Sequence, residues 1–101
     1  MKKEKLLPLV TPGEILSEEF LTPLGITEYR LSKDIGVPPR RINEIVSGAR
    51  AVSVDTAIRL GQYFGTTAQF WLNLQTDYDI RRMQREGAPK IARCPQLAEA
   101  A

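Results

Sequence analysis

Hydrophobic and polar positions along the chain repeat with helical spacing, and no segment alternates in the way that predicts a half-buried strand. The first helix is expected over residues 14–21, where Leu16 and Phe20 lie four positions apart and share a face. Pro23 and Gly25 follow, and both residue types favour a break in the chain. The pattern therefore predicts a short opening helix and then a turn.

The next two helices have well-marked ends. Thr27 is expected to cap a second helix that stops at Gly36, because threonine accepts hydrogen bonds from a first turn and glycine adopts the left-handed conformation. The third helix is expected to begin at Pro39, since proline fits the first helical position. It is expected to run to about Ser47, with Gly48 as its left-handed cap.

Two further helices complete the pattern. Ser53 is expected to cap the fourth helix, which ends before Gly65. Thr66 and Gln69 form a capping-box pattern that predicts the start of a fifth helix, extending to about Arg85. The sequence thus predicts an all-α fold of five helices.

These helices are expected to form one domain, which suits a length of 101 residues. Residues 1–11 are assigned to an N-terminal segment and 12–86 to the helical domain. Residues 87–101 contain prolines and little periodicity, which predicts a flexible tail.

The composition argues against catalysis. Histidine is absent, which removes the commonest general base and the commonest metal ligand. Cys94 is the only cysteine, so an internal disulfide and a cysteine-based zinc site are excluded, and we expect a plain exposed thiol. No nucleophile–base pattern is visible. We therefore expect neither an enzyme nor a cofactor or metal.

The chain shows no pattern of membrane insertion or export. No run approaches the ~20 apolar residues that a membrane span needs. The charged first eight residues lack the apolar stretch of a signal peptide. We expect a cytoplasmic protein with no membrane partner.

A short connection containing glycine joins the second and third predicted helices. Only Gly36-Val37-Pro38 separates them, and such a turn is typical of a helix-turn-helix, whose two helices cross steeply. Ser32 is small enough for the helices to approach closely, and Val37 fills the turn. The remaining inward positions are apolar and lie on one face of each helix: Leu31, Ile35, Ile42, Ile45 and Val46.

The opposite side of the third helix is polar. At about 100° per residue, Arg40, Glu44 and Ser47 point outward, with Arg41 and Asn43 beside them. A major groove admits one α-helix, and there arginine reads guanine, asparagine reads adenine and glutamate accepts from cytosine. This face is therefore a candidate for base contact.

The placement of charge favours nucleic acid over a merely solvated face. Arg40 and Arg41 lie in the first turn, where the helix dipole disfavours a cation by about 0.3–1 kcal/mol. A docked phosphate would explain them, and Arg50 extends the same basic surface. In the alternative interpretation, Arg40 or Arg41 pairs with Glu44 along the helix, which stabilises it by only about 0.2–0.5 kcal/mol.

Residues 29–48, which read YRLSKDIGVPPRRINEIVSG, closely resemble the HigA/VapI family of antitoxins. Other stretches are similar to the same family: PGEIL and EEFL upstream, and DTAIRL and GTTAQFWLNLQ downstream. The resemblance covers about residues 10–80. It implies a five-helix domain of the Cro/C1 repressor type with a C-terminal helix extension. Its core would span about 27–66, with the helix-turn-helix motif at about 28–47.

The resemblance also implies partners. Family members form homodimers that bind double-stranded operator DNA and repress their own operon. They usually neutralise a HigB-type toxin, a ribosome-dependent messenger-RNA endonuclease, by direct binding, and the toxin acts as co-repressor. The implied function is that of an antitoxin in a plasmid-maintenance or related toxin–antitoxin module.

The family's motif assigns DNA contacts to matching positions. It implies that four residues of the third helix face bases: Pro39, Arg40, Arg41 and Glu44. It places Asn43 and Ser47 beside them. It implies positions near phosphates for Thr27, Tyr29 and Arg50. The chain departs from the family at Glu28, where glutamine is common and a carboxylate would repel phosphate, and at Ser32, where alanine is usual.

The fifth helix carries residues that suit either the interior or a dimer contact, since aromatic residues are common in both settings: Phe70, Trp71, Leu74 and Tyr78. The resemblance implies dimerisation through the C-terminal helix. Two recognition helices about 34–36 Å apart would then read both halves of a palindrome. Both roles remain open at this point.

Two other functions stay open. A stand-alone repressor without a toxin would share every DNA feature. A protein-interaction module that has kept the fold but lost DNA binding would explain Glu28 and Glu44.

Overall fold

The computed structural model describes the backbone of residues 9–100 and the side chains of residues 9–97. In this range the regular elements are all helices. Helix α1 consists of three successive stretches, Pro12–Ile15, Leu16–Leu21 and Thr22–Leu24. The others are α2 (Glu28–Ile35), α3 (Pro39–Ser47), α4 (Val54–Phe64), α5 (Ala68–Gly87) and α6 (Pro95–Ala100). The expected all-α fold is confirmed, whereas the short α6 was not predicted.

Helix α1 begins earlier than the sequence pattern predicts. The Thr11 hydroxyl accepts the N–H of Glu14 at 3.1 Å, and the Glu14 carboxylate accepts the N–H of Thr11 at 3.0 Å. This reciprocal capping box pairs the first unsatisfied N–H groups of the helix. The spacing T-P-G-E was the available signal for it.

The predicted end of α1 at Leu21 is wrong, because the helix continues through Pro23 to Leu24. The predicted break at Gly25 is present, and its φ is 68°. The middle stretch, Leu16–Leu21, is a π-helix, and the N–H of Thr22 bonds to the carbonyl of Ser17 five residues back. Pro23 is the second residue of the stretch that follows this π-helix.

The π-helical winding also changes which residues face the core. Leu16 is fully buried and Leu21 is 4% exposed. In an α-helix two residues five apart would point about 140° away from each other. With five-residue hydrogen bonds both leucines enter the core, while Phe20 is half-buried beside them.

The core draws on α1 to α5 and on the turns between them. The expected inward residues of α2, α3 and their turn are buried, except that Val46 is only half-buried. The buried apolar residues are Leu16, Leu21, Leu31, Ile35, Val37, Ile42, Ile45, Val52, Ala57, Leu60 and Trp71.

Helix α5 starts one residue later than expected. Its N-cap is Thr67, whose hydroxyl accepts the N–H of Phe70 at 3.0 Å. The predicted cap, Thr66, instead accepts the indole N–H of Trp71 at 2.8 Å. A buried indole N–H needs a partner, so Trp71 takes the Thr66 hydroxyl and the cap moves along by one residue. Gln69 bonds to Asn73 rather than completing a capping box.

A hydrogen-bonded cluster joins α2 to α4. The Tyr63 hydroxyl donates to the Asp34 carboxylate at 2.6 Å, and Arg30 Nε donates to the same group at 2.9 Å. The Tyr63 hydrogen bond and the Arg30 guanidinium hold the pKa of Asp34 below its ordinary value. The same hydrogen bond raises the pKa of Tyr63.

Asp34 is therefore expected to stabilise the fold only while it is ionised. Since its pKa is lower folded than unfolded, the contribution is complete above the ordinary aspartate pKa and is lost as the pH falls through the lowered value. Replacing Asp34→Asn should lower the melting temperature at neutral pH but not in strong acid. Thermal unfolding followed by circular dichroism measures this, with Asp77→Asn as the control. An equal pH dependence of the two variants would contradict the expectation.

The chain beyond α5 leaves the core. Residues 88–94 have no regular structure, and Cys94 before α6 is exposed as expected. In residues 9–100 no helix is long and apolar enough to cross a membrane.

Candidate nucleic-acid interface

Helices α2 and α3 are joined by a turn that the backbone holds tightly. Gly36 has φ 76°, and the N–H groups of Gly36 and Val37 both donate to the Ser32 carbonyl at 3.0 Å. Val37 is 8% exposed and closes the turn from inside. Ser32 is buried and its hydroxyl donates to the Tyr29 carbonyl. The predicted helix-turn-helix is therefore present from the start of α2 to the end of α3.

Helix α4 braces this turn, which the sequence did not predict. Arg59 Nη1 donates to the Ile35 carbonyl at 2.6 Å, and Arg59 Nε donates to Asp55 at 3.0 Å. The same carboxylate oxygen of Asp55 lies 3.7 Å from Arg41 Nη1 on α3. Arg59 and Asp55 thus connect the end of α2 to the start of α3. The contacts of Arg59 with Ile35 and of Asp55 with Arg41 join residues far apart in sequence. Only the pair of Asp55 and Arg59 has a sequence signal, which is its i, i+4 spacing.

The outward face of α3 is polar, as the periodicity predicts. Pro39, Arg40, Asn43 and Ser47 are exposed, and Glu44 is half-buried. Their side chains lie opposite the buried stripe of the helix. The hydrogen-bonding side chains of Arg40, Asn43, Glu44 and Ser47 therefore face away from the core.

Glu44 is held by two arginines. Its Oε2 accepts from Arg40 Nε at 2.9 Å, and its Oε1 accepts from Arg50 Nε at 2.8 Å. The hydrogen bond from Arg50, followed by that from Arg40, lowers the pKa of the Glu44 carboxyl. The Arg40–Glu44 pair of the alternative interpretation is thus present. Arg41 pairs instead with Asp55.

Arg50 lies beyond the end of α3. The sequence predicts that it extends the basic surface, but its contact with Glu44 was not predicted. The left-handed Gly48, with φ 86°, reverses the chain there. The N–H groups of Ala49 and Arg50 donate to the Glu44 carbonyl at 2.8 and 3.2 Å. This backbone reversal brings the Arg50 side chain to the Glu44 carboxylate.

Two of the three residues expected near phosphates, Thr27 and Tyr29, lie at the start of α2, and the third, Arg50, follows α3. The Thr27 hydroxyl caps the helix by accepting the N–H of Arg30 at 3.0 Å. Tyr29 is 61% exposed, and Lys33 Nζ lies 5.7 Å from the centre of its ring. Glu28 is half-buried, with Oε1 3.5 Å from Asn43 Nδ2. Phosphate contact by these residues remains a prediction.

The four candidate dimer residues of α5 divide into two groups. Trp71 has no exposed surface in the single chain, so its side chain packs in the interior and is not available to a partner. Phe70 is 37% exposed, and Leu74 and Tyr78 are half-buried. A dimer contact by these three residues remains a prediction.

The side chains on this face are hydrogen-bonding and charged groups. Over the described residues, no group of three or more Asp, Glu or Cys side chains is placed to hold a metal ion. The face offers guanidinium and amide donors with one paired carboxylate between them. The fold and this face together define a helix-turn-helix protein in which α3, the second helix of the motif, carries arginines.

Comparison with known proteins agrees with this class. A family described as helix-turn-helix matches residues 18–71. Virulence-associated protein I of Dichelobacter nodosus is 49% identical over 80 residues, which cover 79% of this chain and 74% of that protein. Antitoxin HigA-1 of Vibrio cholerae is 38% identical over 80 residues, with the same two coverages.

A solved structure is similar over almost its full length. The Pseudomonas aeruginosa antitoxin HigA, determined with the higBA promoter, has a TM-score of 0.75 and 38% identity. The match covers 84% of this chain and 97% of that one. The chain belongs to the helix-turn-helix family of HigA and VapI antitoxins.

Proposed function

We propose that this protein is the antitoxin of a HigBA-type toxin–antitoxin module. It binds the operator of its own operon, represses transcription and neutralises an mRNA-endonuclease toxin by direct contact. The observation that carries the DNA-binding part is the braced helix-turn-helix with Arg40, Asn43 and Ser47 exposed on one face of α3. The similar HigA structure was solved with promoter DNA.

Helix α3 is proposed to lie in the major groove. Arg40 and Asn43 carry the side chains that read guanine and adenine edges, respectively. Arg41 and Arg50 flank them, and their guanidinium groups suit phosphate oxygens. Thr27 and Tyr29 at the start of α2 lie where a helix-turn-helix meets the DNA backbone. In this proposal the side chains of α3 set the sequence specificity, and the residues around α3 fix the orientation of the protein on the DNA.

The protein is proposed to act as a homodimer. A palindromic operator presents two half-sites about 34–36 Å apart, which a two-fold dimer matches. Helix α5 supplies a candidate contact through Phe70, Leu74 and Tyr78, and its later turns expose Ile80 and Met83. Because the proposed partner is operator DNA, we place the protein in the cytoplasm.

Toxin neutralisation is supported by the similarity to proteins named as antitoxins. The proposed role is binding rather than catalysis, and it requires no cofactor. Co-expression with the neighbouring gene product, followed by purification and promoter binding of the complex, tests it. A stable complex that retains promoter binding is expected. If no neighbouring product binds and the promoter is still bound, the protein is a stand-alone repressor.

Replacing Arg40→Ala should weaken binding to a duplex carrying the protein's own promoter by about 1–3 kcal/mol, because a base contact is lost. Fluorescence anisotropy with a labelled duplex measures this. Arg81→Ala is a matched control, since Arg81 also forms an exposed i, i+4 ion pair, with Asp77 at 2.8 Å. Equal promoter affinity of Arg40→Ala and the unsubstituted protein would overturn the assignment of this face.

A further inference from the structure

Glu44 occupies an unusual place for a carboxylate on a DNA-binding face. Its side chain is 23% exposed and lies between Arg40, which is 86% exposed, and Arg50, which is 49% exposed. Each carboxylate oxygen accepts one guanidinium Nε, at 2.9 and 2.8 Å. The free protein therefore already supplies an anion to the two arginines that a duplex would meet.

The pairing of Glu44 with Arg40 and Arg50 weakens any DNA binding that depends only on attraction between arginines and phosphates. Attraction between arginines and phosphates is independent of sequence and supplies essentially all of non-specific binding. To use Arg40 or Arg50 fully, any duplex must compete with Glu44. It must also accept a carboxylate close to its own negative charge, and like charges brought together are costly.

The cost is compensated only where the duplex offers a hydrogen-bond donor. In the major groove the donors are the amino groups of cytosine and adenine, whereas guanine and thymine present acceptors at the corresponding edges. A carboxylate that loses an arginine can accept from such an amino group. Against an acceptor edge it would remain unpaired, and an unpaired charged group is costly.

We propose that Glu44 is a specificity-determining residue. Its carboxylate restrains Arg40 and Arg50 in the free protein and disfavours every duplex that lacks an amino donor opposite it. The inference rests on the proposed binding of operator DNA. It adds that the acidic residue within the basic face sets the ratio of specific to non-specific affinity.

The test compares Glu44→Gln with the unsubstituted protein on two duplexes of equal length, one carrying the protein's own promoter and one of random sequence. Glutamine keeps the shape of the side chain and removes the charge. Affinity for the random duplex should rise about tenfold, with a steeper salt dependence, because one repulsive charge is gone. Promoter affinity should stay about the same, since the amide is a weaker acceptor for an amino group and this loss offsets the removal of the charge. The affinity ratio should therefore drop by about tenfold.

Glu86→Gln is the matched control, because Glu86 is also an i, i+4 ion-pair partner, 3.2 Å from Arg82, but lies on α5. It removes the same charge from the chain and should leave the affinity ratio unchanged. Melting temperatures confirm that both variants fold. An unchanged random-duplex affinity in Glu44→Gln, or an equal rise in Glu86→Gln, would overturn the proposal. If the unsubstituted protein shows no preference for its promoter, the proposed function fails first, and the inference fails with it.

Discussion

Replacing Trp71→Ala should lower the free energy of unfolding by about 3–5 kcal/mol. Trp71 has no exposed surface. Its ring lies with centroids 5.0 Å from both Phe20 and Phe70 and 6.3 Å from Phe64. Alanine would leave a cavity where α1, α4 and α5 meet. It would also remove the indole N–H that donates to the Thr66 hydroxyl. Urea unfolding followed by circular dichroism measures the loss.

A conservative variant separates the two parts of this effect. Trp71→Phe keeps an aromatic ring but removes the indole N–H, so its loss should be clearly smaller than that of alanine. If Trp71→Ala leaves too little folded protein to measure, Trp71→Phe still reports the packing. If Trp71→Ala lowered the free energy of unfolding by less than about 1 kcal/mol, the surrounding side chains would have to close the cavity or water would have to occupy the site already. Either result would contradict the buried position of Trp71.

Replacing Gly13→Ala should also destabilise the protein, by about 3 kcal/mol, although glycine to alanine in a helix normally stabilises by about 0.5–1 kcal/mol. A Cβ at this position would overlap the carbonyl oxygen of Ile45 and approach its carbon to 2.7 Å and Val46 Cα to 2.8 Å. These are backbone atoms of α3, so neither neighbour can yield by changing a rotamer. The result would be a shift of α3 against α1.

The measurement is again urea unfolding, accompanied by binding to the promoter duplex. Because Gly13 rests on the inner side of α3, the variant should lose promoter affinity even under conditions where it remains folded. Glu18→Ala, an exposed change in the same helix, serves as the control and should have little effect on either measurement. A stabilised Gly13→Ala variant would show that α1 and α3 are not in close contact.

Local signals in the sequence were sufficient for most of the helix-turn-helix. Thr27 and Gly36 mark the ends of α2, and Pro39 and Gly48 mark those of α3. The polar side of α3 follows from helical periodicity. For this reason Gly36, Pro39 and Gly48 occupy the positions that the sequence predicts. The same local rules placed Ser53 as the cap of α4 and Gly65 after its end.

Other features depend on competition between distant groups and could not be predicted locally. Thr66 is lost as a cap because a buried indole uses its hydroxyl. The hydrogen bond from Arg59 to the Ile35 carbonyl and that from Tyr63 to Asp34 connect separate helices. The π-helical stretch of α1 follows from packing, since a regular 3.6-residue period would not bury Leu21 together with Leu16.

The central position of Trp71 has an optical consequence. It is the only tryptophan of the chain, and the aromatic rings around it come from α1, α4 and α5. An indole in such apolar surroundings emits at shorter wavelengths than one in water. The tryptophan fluorescence of the protein therefore arises from a single known position. A red shift of this emission marks the separation of these three helices.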